Sequence, residues 1–265
     1  MTTETNTKMI TSIGHSTVDK VEVQGYQLAD ELIGEVDFGS MFFLLLTQRL
    51  PEANEQRLFN GILVALADHG LTPTALAARL TYTGAPDAVQ GAIAAGILGA
   101  GSVFLGVFEN AARMLIAALD GADTSPEHDL DGVAARIVDD HERRGERIPG
   151  LGHPLHRHGD PRTARLIEIA RSSGLLGRHT QLMLLVQGVA AASSGKQLPL
   201  NAGGVCGALL CDMGIEPSVL RGVAVVSRAA GVTGHIAEEA RAPMGRTIWD
   251  WANASAQYVP RRRSS

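Results

Sequence analysis

The segment GLGHPLHRHGDPR, Gly150 to Arg162, holds three histidines, an aspartate and two arginines in thirteen positions. Side chains of these types support two chemistries. His153, His156, His158 and Asp160 form HxxHxHxD, which superficially matches the metal loops of hydrolases. Such a loop needs further ligands, and no second His or Cys cluster supplies them, so no metal is expected. The other chemistry is anion binding. A glycine-rich turn running into a helix begun by Asp160-Pro161 offers backbone N–H groups and the positive end of the helix dipole. Arg162 in the first turn and Arg157 in the loop add guanidinium donors for carboxylate or phosphate, with His153 beside them. Residue types alone also allow a solvated surface loop.

The elements that must carry these residues read as helices. A capping or acidic residue precedes proline at Thr72-Pro73, Ser125-Pro126, Asp160-Pro161 and Glu216-Pro217, each followed by helical spacing. From Asn54 onward Leu58, Ile62, Leu63 and Leu66 share one face until Gly70. After Asp160, Leu166, Ile169 and Ala170 do the same until Gly174. Asp37 caps a run from Phe38 to Leu46 that ends at Leu50-Pro51. Period-two β-branched runs are scarce, so the chain reads as almost all-α. The polar interval Asp120 to Arg147 reads either as a connection between domains or as an exposed outer helix.

The chain has 265 residues, enough for one large core or a main domain with a smaller companion. Hydrophobic residues reach 45 % against 19 % charged, which favours surface buried between subunits and hence a homo-oligomer. The net charge of −5 gives no general attraction to nucleic acid or anionic lipid. Cys206 and Cys211 form no zinc-type or disulfide framework; they read as inert core thiols in a reducing compartment. With no signal-peptide pattern at the N-terminus, the cytoplasm is the expected location. Ala88 to Phe108 lacks charge and is long enough to span a bilayer. Its glycines 91, 96, 99, 101 and 106 instead suggest close helix approach in a soluble core or dimer interface, and no membrane is expected.

Several segments together carry a family resemblance. IPGLGHPLHRHGDPR resembles the PGxGHxxxxxxDPR signature of the citrate synthase superfamily. VQGYQLADELIGEVDFGSMFFLLLTQRLP, LADHGLTPTALAAR and GVAVVSRAAGVTGHIAEE resemble three more of its patterns, in the same order, between about residues 20 and 250. Length, GAGSVFLGVFENAARML and the ending PMGRTIWDW are closer to the small citryl-CoA lyase-like branch. The resemblance implies an all-α, citrate synthase-like homodimer with a large and a small helical domain and the active site in the cleft between them. Residues 1–110 and 215–265 would form the large dimerisation domain and 111–214 the small CoA-binding domain. It further implies that His69, Arg162 and Arg228 bind the oxo acid, with Arg246, or else Arg241, reaching across the dimer. His153 would be the catalytic residue on the carbonyl oxygen. Gly150, Leu151, Gly152 and Arg157 would face coenzyme A, a substrate thioester rather than a tightly bound cofactor.

Two departures from the family pattern bear on the reaction. A histidine that donates to the thioester carbonyl in citrate synthases is replaced by Phe104, and the aspartate that takes a proton from the acetyl group is replaced by Gly203. Positioned acids and bases contribute ~10²–10⁴-fold each, so ordinary citrate synthesis is not expected. The retained clamp favours a CoA-dependent carbon–carbon lyase that cleaves a 3-hydroxy-3-carboxyacyl-CoA to an acyl-CoA and an oxo acid, with His153 as base. Enolate donors are sought among backbone N–H groups of Asn201 to Gly204, or in a water admitted by the space at Gly203. Glu109, a further base candidate, lies one helical turn from Arg113 and reads as structural. His156 and His158 read as bystanders. The alternatives are an aldol-type or hydrolytic reaction on a bulkier acyl-CoA, in a pocket enlarged at Phe104 and Gly203, and a non-catalytic CoA-binding protein.

Overall fold

The computed structural model describes residues 9–120, 130–152, 156 and 159–261. Among them helices dominate: α1 Phe38–Thr47, α2 Ala53–Ala67, α3 Pro73–Gly84, α4 Val89–Leu98, α5 Gly106–Asp120, α6 Leu130–Arg144, α7 Pro161–Ser172, α8 Arg178–Ser194, α9 Ala202–Asp212, α10 Leu220–Arg241 and α11 Gly245–Ser255. Asp37 caps α1 by accepting from the Ser40 N–H, and Pro73 and Pro161 sit in the first turns of α3 and α7, as local sequence requires. Glu216-Pro217 starts a short 3₁₀ turn, Pro217–Val219, that leads into α10. The Ser125-Pro126 start lies outside the described residues.

A small antiparallel sheet precedes the helices: β1 Gly14–Ser16, β2 Val21–Val23 and β3 Tyr26–Gln27, in spatial order β1-β2-β3. Gly14 faces Val23, and Val23 faces Tyr26. The polar interval resolves, over its described part, into the amphipathic helix α6, which buries Val133, Ala134, Ile137 and Val138 and packs on α8. The uncharged window from Ala88 to Phe108 is no single helix. It divides into α4, a π-helical turn at Gly101–Leu105 and the start of α5. By length and composition alone Gly101–Asp120 could cross a membrane, yet Phe108, Ala111, Ala112 and Leu115 within it are buried in the protein.

The main core forms around α9, whose residues from Ala202 to Cys211 are all buried. Fully burying side chains such as Leu209 and Leu210 contributes about 1.5–3 kcal/mol each. Glycines let α5 cross α9 closely. A Cβ on Gly207 would lie 2.6 Å from the Phe108 carbonyl oxygen, and one on Gly203 would lie 2.2 Å from Val107 Cγ1. A smaller cluster of Ala78, Ala92, Val232 and Ile236 joins α3, α4 and α10. Here Gly96 gives the approach, since its Cβ would meet the Thr74 carbonyl oxygen at 2.9 Å. The glycines of the uncharged window thus serve helix contact at this position.

Candidate active site

Three elements converge on the site: the C-terminal end of α2, the N-terminus of α7 and the middle of α10. Asp160 caps α7 and accepts from the Arg162 backbone N–H at 3.0 Å, from Nε at 3.0 Å and from Nη2 at 2.7 Å. Arg162 Nη1 donates onward to the Ala65 carbonyl in α2, at 3.3 Å. The guanidinium is therefore aimed by both helices. Burial pushes the Asp160 carboxyl up, but the hydrogen bonds and charge of Arg162 outweigh it and hold the carboxyl below its ordinary value.

Past α2 the chain turns through Asp68, His69 and Gly70, with Gly70 at φ 73°. Asp68 Oδ2 accepts the Gly70 N–H at 2.8 Å. His69 stacks on His156, with ring centroids 5.6 Å apart and planes within 3°. Helix α10 presses on this turn: Ser227 Oγ donates to the Leu63 carbonyl, and a Cβ on Gly231 would fall 1.9 Å from the Ala67 oxygen. One residue from Ser227, Arg228 is 9 % exposed. Burial lowers its proton affinity, Asp68 raises it and Arg162 lowers it, so the two arginines are close enough to repel. A pair of guanidiniums beside a histidine, one of them desolvated, suits a ligand with carboxylates.

The loop before α7 is fastened to the start of α9. Gly152 donates its N–H to the Pro199 carbonyl at 2.7 Å, Asn201 donates its N–H to the Gly150 carbonyl at 2.9 Å, and Asn201 Nδ2 donates to the Gly152 carbonyl at 2.9 Å. Leu151 bridges Leu200. Gly150, at φ 92°, has no room for a side chain: its Cβ would sit 2.7 Å from Gly204 Cα. Gly150, Leu151 and Gly152 thus form one unit with residues 199–201. A cavity of about 380 Å³ adjoins that unit between α7 and α8, lined by Thr163, Ile167, Gln187 and Leu198 among others.

The structure places Arg162 and Asp68, the neighbour of His69 in its turn, within electrostatic reach of Arg228. It leaves Arg246 on α11, bonded to Asp250 at 3.0 Å and lying over the Trp249 ring, without contact to that cluster among the described residues. Arg241 ends α10. His153, Arg157 and His158 lie outside the described residues. One expectation is corrected: the missing side chain of Gly203 does not open space on its Cβ side, where Val107 Cγ1 would lie 2.2 Å from a Cβ. His156, read from sequence as a bystander, has its ring against His69. Phe104, in the π-helical turn, is 52 % exposed. Glu109 accepts from Arg113 at 2.8 Å and from Arg221 at 2.9 Å, which ties α5 to α10 and fits a structural role. Burial pushes both cysteine thiols up to about 12, the state of inert core residues.

Sequence reading missed Arg79 and His235, which stand behind His69. His235 Nε2 lies 2.8 Å from Asp68 Oδ1, and Arg79 Nη2 lies 2.9 Å from His235 Nδ1. A signal was present: Arg228, Gly231, His235 and Glu239 recur at helical spacing, which puts polar groups along one face of α10.

Asp160, Asp68 and Glu239 all have lowered carboxyl pKa values. Burial raises each, and hydrogen-bond donors outweigh it. A depressed carboxyl contributes stability that is complete above its unfolded pKa and disappears as pH falls through the folded one. Stability is therefore expected to hold from pH 7 to about 5 and to drop steeply below about pH 4. Denaturant unfolding at a series of pH values measures this, and Asp160→Asn should flatten part of the slope.

A model of the citrate synthase C-terminal domain matches residues 20–248. A solved structure of citryl-CoA lyase from Hydrogenobacter thermophilus superposes with a TM-score of 0.84 at 28 % identity, covering 97 % of each chain. ATP citrate lyase from Methanothrix soehngenii, solved with citrate and coenzyme A, shares the fold with a TM-score of 0.74 at 23 % identity, over 96 % of this chain and 42 % of that one. Citrate synthase 2 of Bacillus subtilis (strain 168) is 27 % identical over 201 residues, 75 % of this chain and 51 % of the relative. The chain thus spans about half the length of that relative.

Proposed function

The chain belongs to the citrate synthase family, and on that premise we propose that it is a CoA-dependent carbon–carbon lyase acting on a citryl-CoA-like thioester. The observation that carries this reading is the contrast between two parts of the site. Arg162 and the turn that carries His69 lie within electrostatic reach of Arg228, a grouping that supports a carboxylate clamp, while a side chain at Gly203, the position expected to hold the base for condensation, would need Val107 to move, since its Cβ would meet Val107 Cγ1 at 2.2 Å. The likeness to citryl-CoA lyase over the whole of both chains supports the same choice.

In the proposed reaction His153 takes the proton of the tertiary hydroxyl. The carbonyl of the oxo acid forms, the neighbouring carbon–carbon bond breaks, and its electron pair passes to the thioester as an enolate, which is then protonated to the acyl-CoA. Arg162 and Arg228 hold the carboxylates throughout. Asn201 donates its N–H to Gly150 and Gly204 donates to Asn201 Oδ1, so of the four backbone donors only Ala202 and Gly203 have no acceptor among the described residues. They are the candidates for the enolate oxygen. The unit of Gly150, Leu151 and Gly152, with Arg157 and the adjoining cavity, would take part of coenzyme A. A homodimer would cover the exposed Leu98, Val103 and Phe104 and bring Arg246 to the partner's site, and the cytoplasm would be the location. A pocket enlarged at Gly203 for a bulkier acyl group gains little support, since Val107 lies against the Cβ side of that residue.

The test is to incubate the purified protein with citryl-CoA and follow oxaloacetate and acetyl-CoA, beside His153→Ala. Release by the wild type and its loss in the variant are expected. Tight binding of citryl-CoA without release would leave a CoA-binding protein, and failure to bind it would remove the reading.

A further inference from the structure

Arg79 is a fully buried arginine on α3, at 0 % exposure. Its Nη1 donates to Glu239 Oε2 at 2.9 Å, its Nη2 pairs with Glu238, and its Nε and Nη2 both point at His235 Nδ1, at 3.2 and 2.9 Å. A guanidinium donates and never accepts. His235 Nδ1 must therefore offer a lone pair, and the ring proton must sit on Nε2. That nitrogen faces Asp68 Oδ1 at 2.8 Å, so it donates to the carboxylate. Asp68 has one oxygen on His235 and the other on the Gly70 N–H, which brackets His69.

The same arginine reaches α11. Glu239, 3 % exposed, takes Arg79 on Oε2 and the N–H groups of Met244 and Gly245 on Oε1, at 2.9 and 2.7 Å, so it fixes the first turn of the helix that carries Arg246. Thr83 Oγ1 donates to the Arg79 carbonyl and fills the space beside Gly245. One buried cation thus holds both the His69 turn and the root of the C-terminal helix.

We propose that His235, locked by Arg79 as its Nε2–H tautomer, is a positioning residue that sets His69 through Asp68. Only the identity of what His69 binds rests on the lyase reading. In this role His235 acts on Asp68 and not on the ligand. It supplies the donor that orients Asp68, and with it the negative charge beside the desolvated Arg228. Leucine at 235 fills similar volume without a donor. Glutamine keeps an N–H near the position of Nε2.

The test has two arms. In ¹⁵N-histidine-labelled wild type at pH 7, long-range ¹H–¹⁵N correlation is expected to report His235 as Nε2–H. His235→Leu is expected to shift the ring resonances of His69, assigned with His69→Gln, and to weaken oxaloacetate binding by roughly tenfold to a hundredfold, the range over which outer partners of ligating groups act. His235→Gln should restore most of both. A proton on Nδ1 overturns the proposal. So does a folded His235→Leu protein with the wild-type His69 resonances. If the wild type binds no oxaloacetate, the functional reading falls, and the tautomer and the His69 resonances still decide this one. If His235→Leu does not fold, the tautomer and the glutamine variant decide.

Discussion

Arg79→Met is expected to lower the stability of the folded protein by about 3–5 kcal/mol, the cost of removing one partner from a buried ion pair. The size follows from what the arginine leaves behind. Glu239 is 3 % exposed and would keep only the Met244 and Gly245 N–H groups, so a carboxylate would remain desolvated without a counter-charge. His235 would lose the donors that fix its tautomer, and Asp68 would lose a defined partner. Exposed pairs of this protein, such as Arg165 with Glu168, contribute at most about 1 kcal/mol. Denaturant unfolding of Arg79→Met measures the difference. Adding Glu239→Leu to the same chain is expected to recover part of the loss, because the unpaired carboxylate goes too. A loss below about 1 kcal/mol, with no recovery in the double variant, would remove Arg79 from the role of a buried anchor.

What the sequence makes legible here is what it encodes locally. Proline after a capping residue has one geometric meaning, so α3 and α7 could be started at Pro73 and Pro161 without knowledge of any partner. Leu58, Ile62 and Leu66 are buried along one face of α2 because the core it meets needs a stripe, and a stripe is visible in one dimension. Strands of two or three residues, as in β1 to β3, are shorter than any alternation that could reveal them. The π-helical turn at Gly101–Leu105 is likewise hidden, since it is a break between α4 and α5 inside an unbroken apolar run.

The site divides along the same line. His69, Arg162 and Arg228 sit in recognisable motifs, because each lies next to a local signal, the Gly70 turn, the Asp160-Pro161 helix start or the helical spacing of α10. Arg79 stands 156 residues from His235, and in its own segment it looks like an ordinary solvated helix position. Gly203 shows the opposite failure. Read as a residue type it suggests vacancy, yet in the fold it is the contact that lets α5 lie against α9, and Val107 occupies the vacancy. A missing side chain tells what chemistry is lost and leaves open what fills its place.

Arg228→Met is expected to separate function from stability. Truncating one charge of a desolvated, hydrogen-bonded pair with a ligand typically costs 2–5 kcal/mol, so kcat/KM for citryl-CoA should fall by about 10²–10³. The free protein should lose nothing. Burial already works against the Arg228 charge, the repulsion from Arg162 adds to it, and among the described residues no carboxylate closes an ion pair with it; only the more distant Asp68 favours it. Methionine fills similar volume without a charge to desolvate, and the unfolding midpoint should stay level or rise. Asp68 keeps its Gly70 and His235 donors in the variant, so the His69 turn should remain in place. Thermal unfolding with and without oxaloacetate, beside steady-state cleavage, tests both halves. In the wild type oxaloacetate should raise the midpoint, because it binds only the folded clamp, and in Arg228→Met that rise should vanish. Full activity in the variant would show that Arg228 does not hold the carboxylate. A loss of stability comparable to that of Arg79→Met would make Arg228 a structural cation instead, and the clamp would then rest on Arg162 and His69 alone.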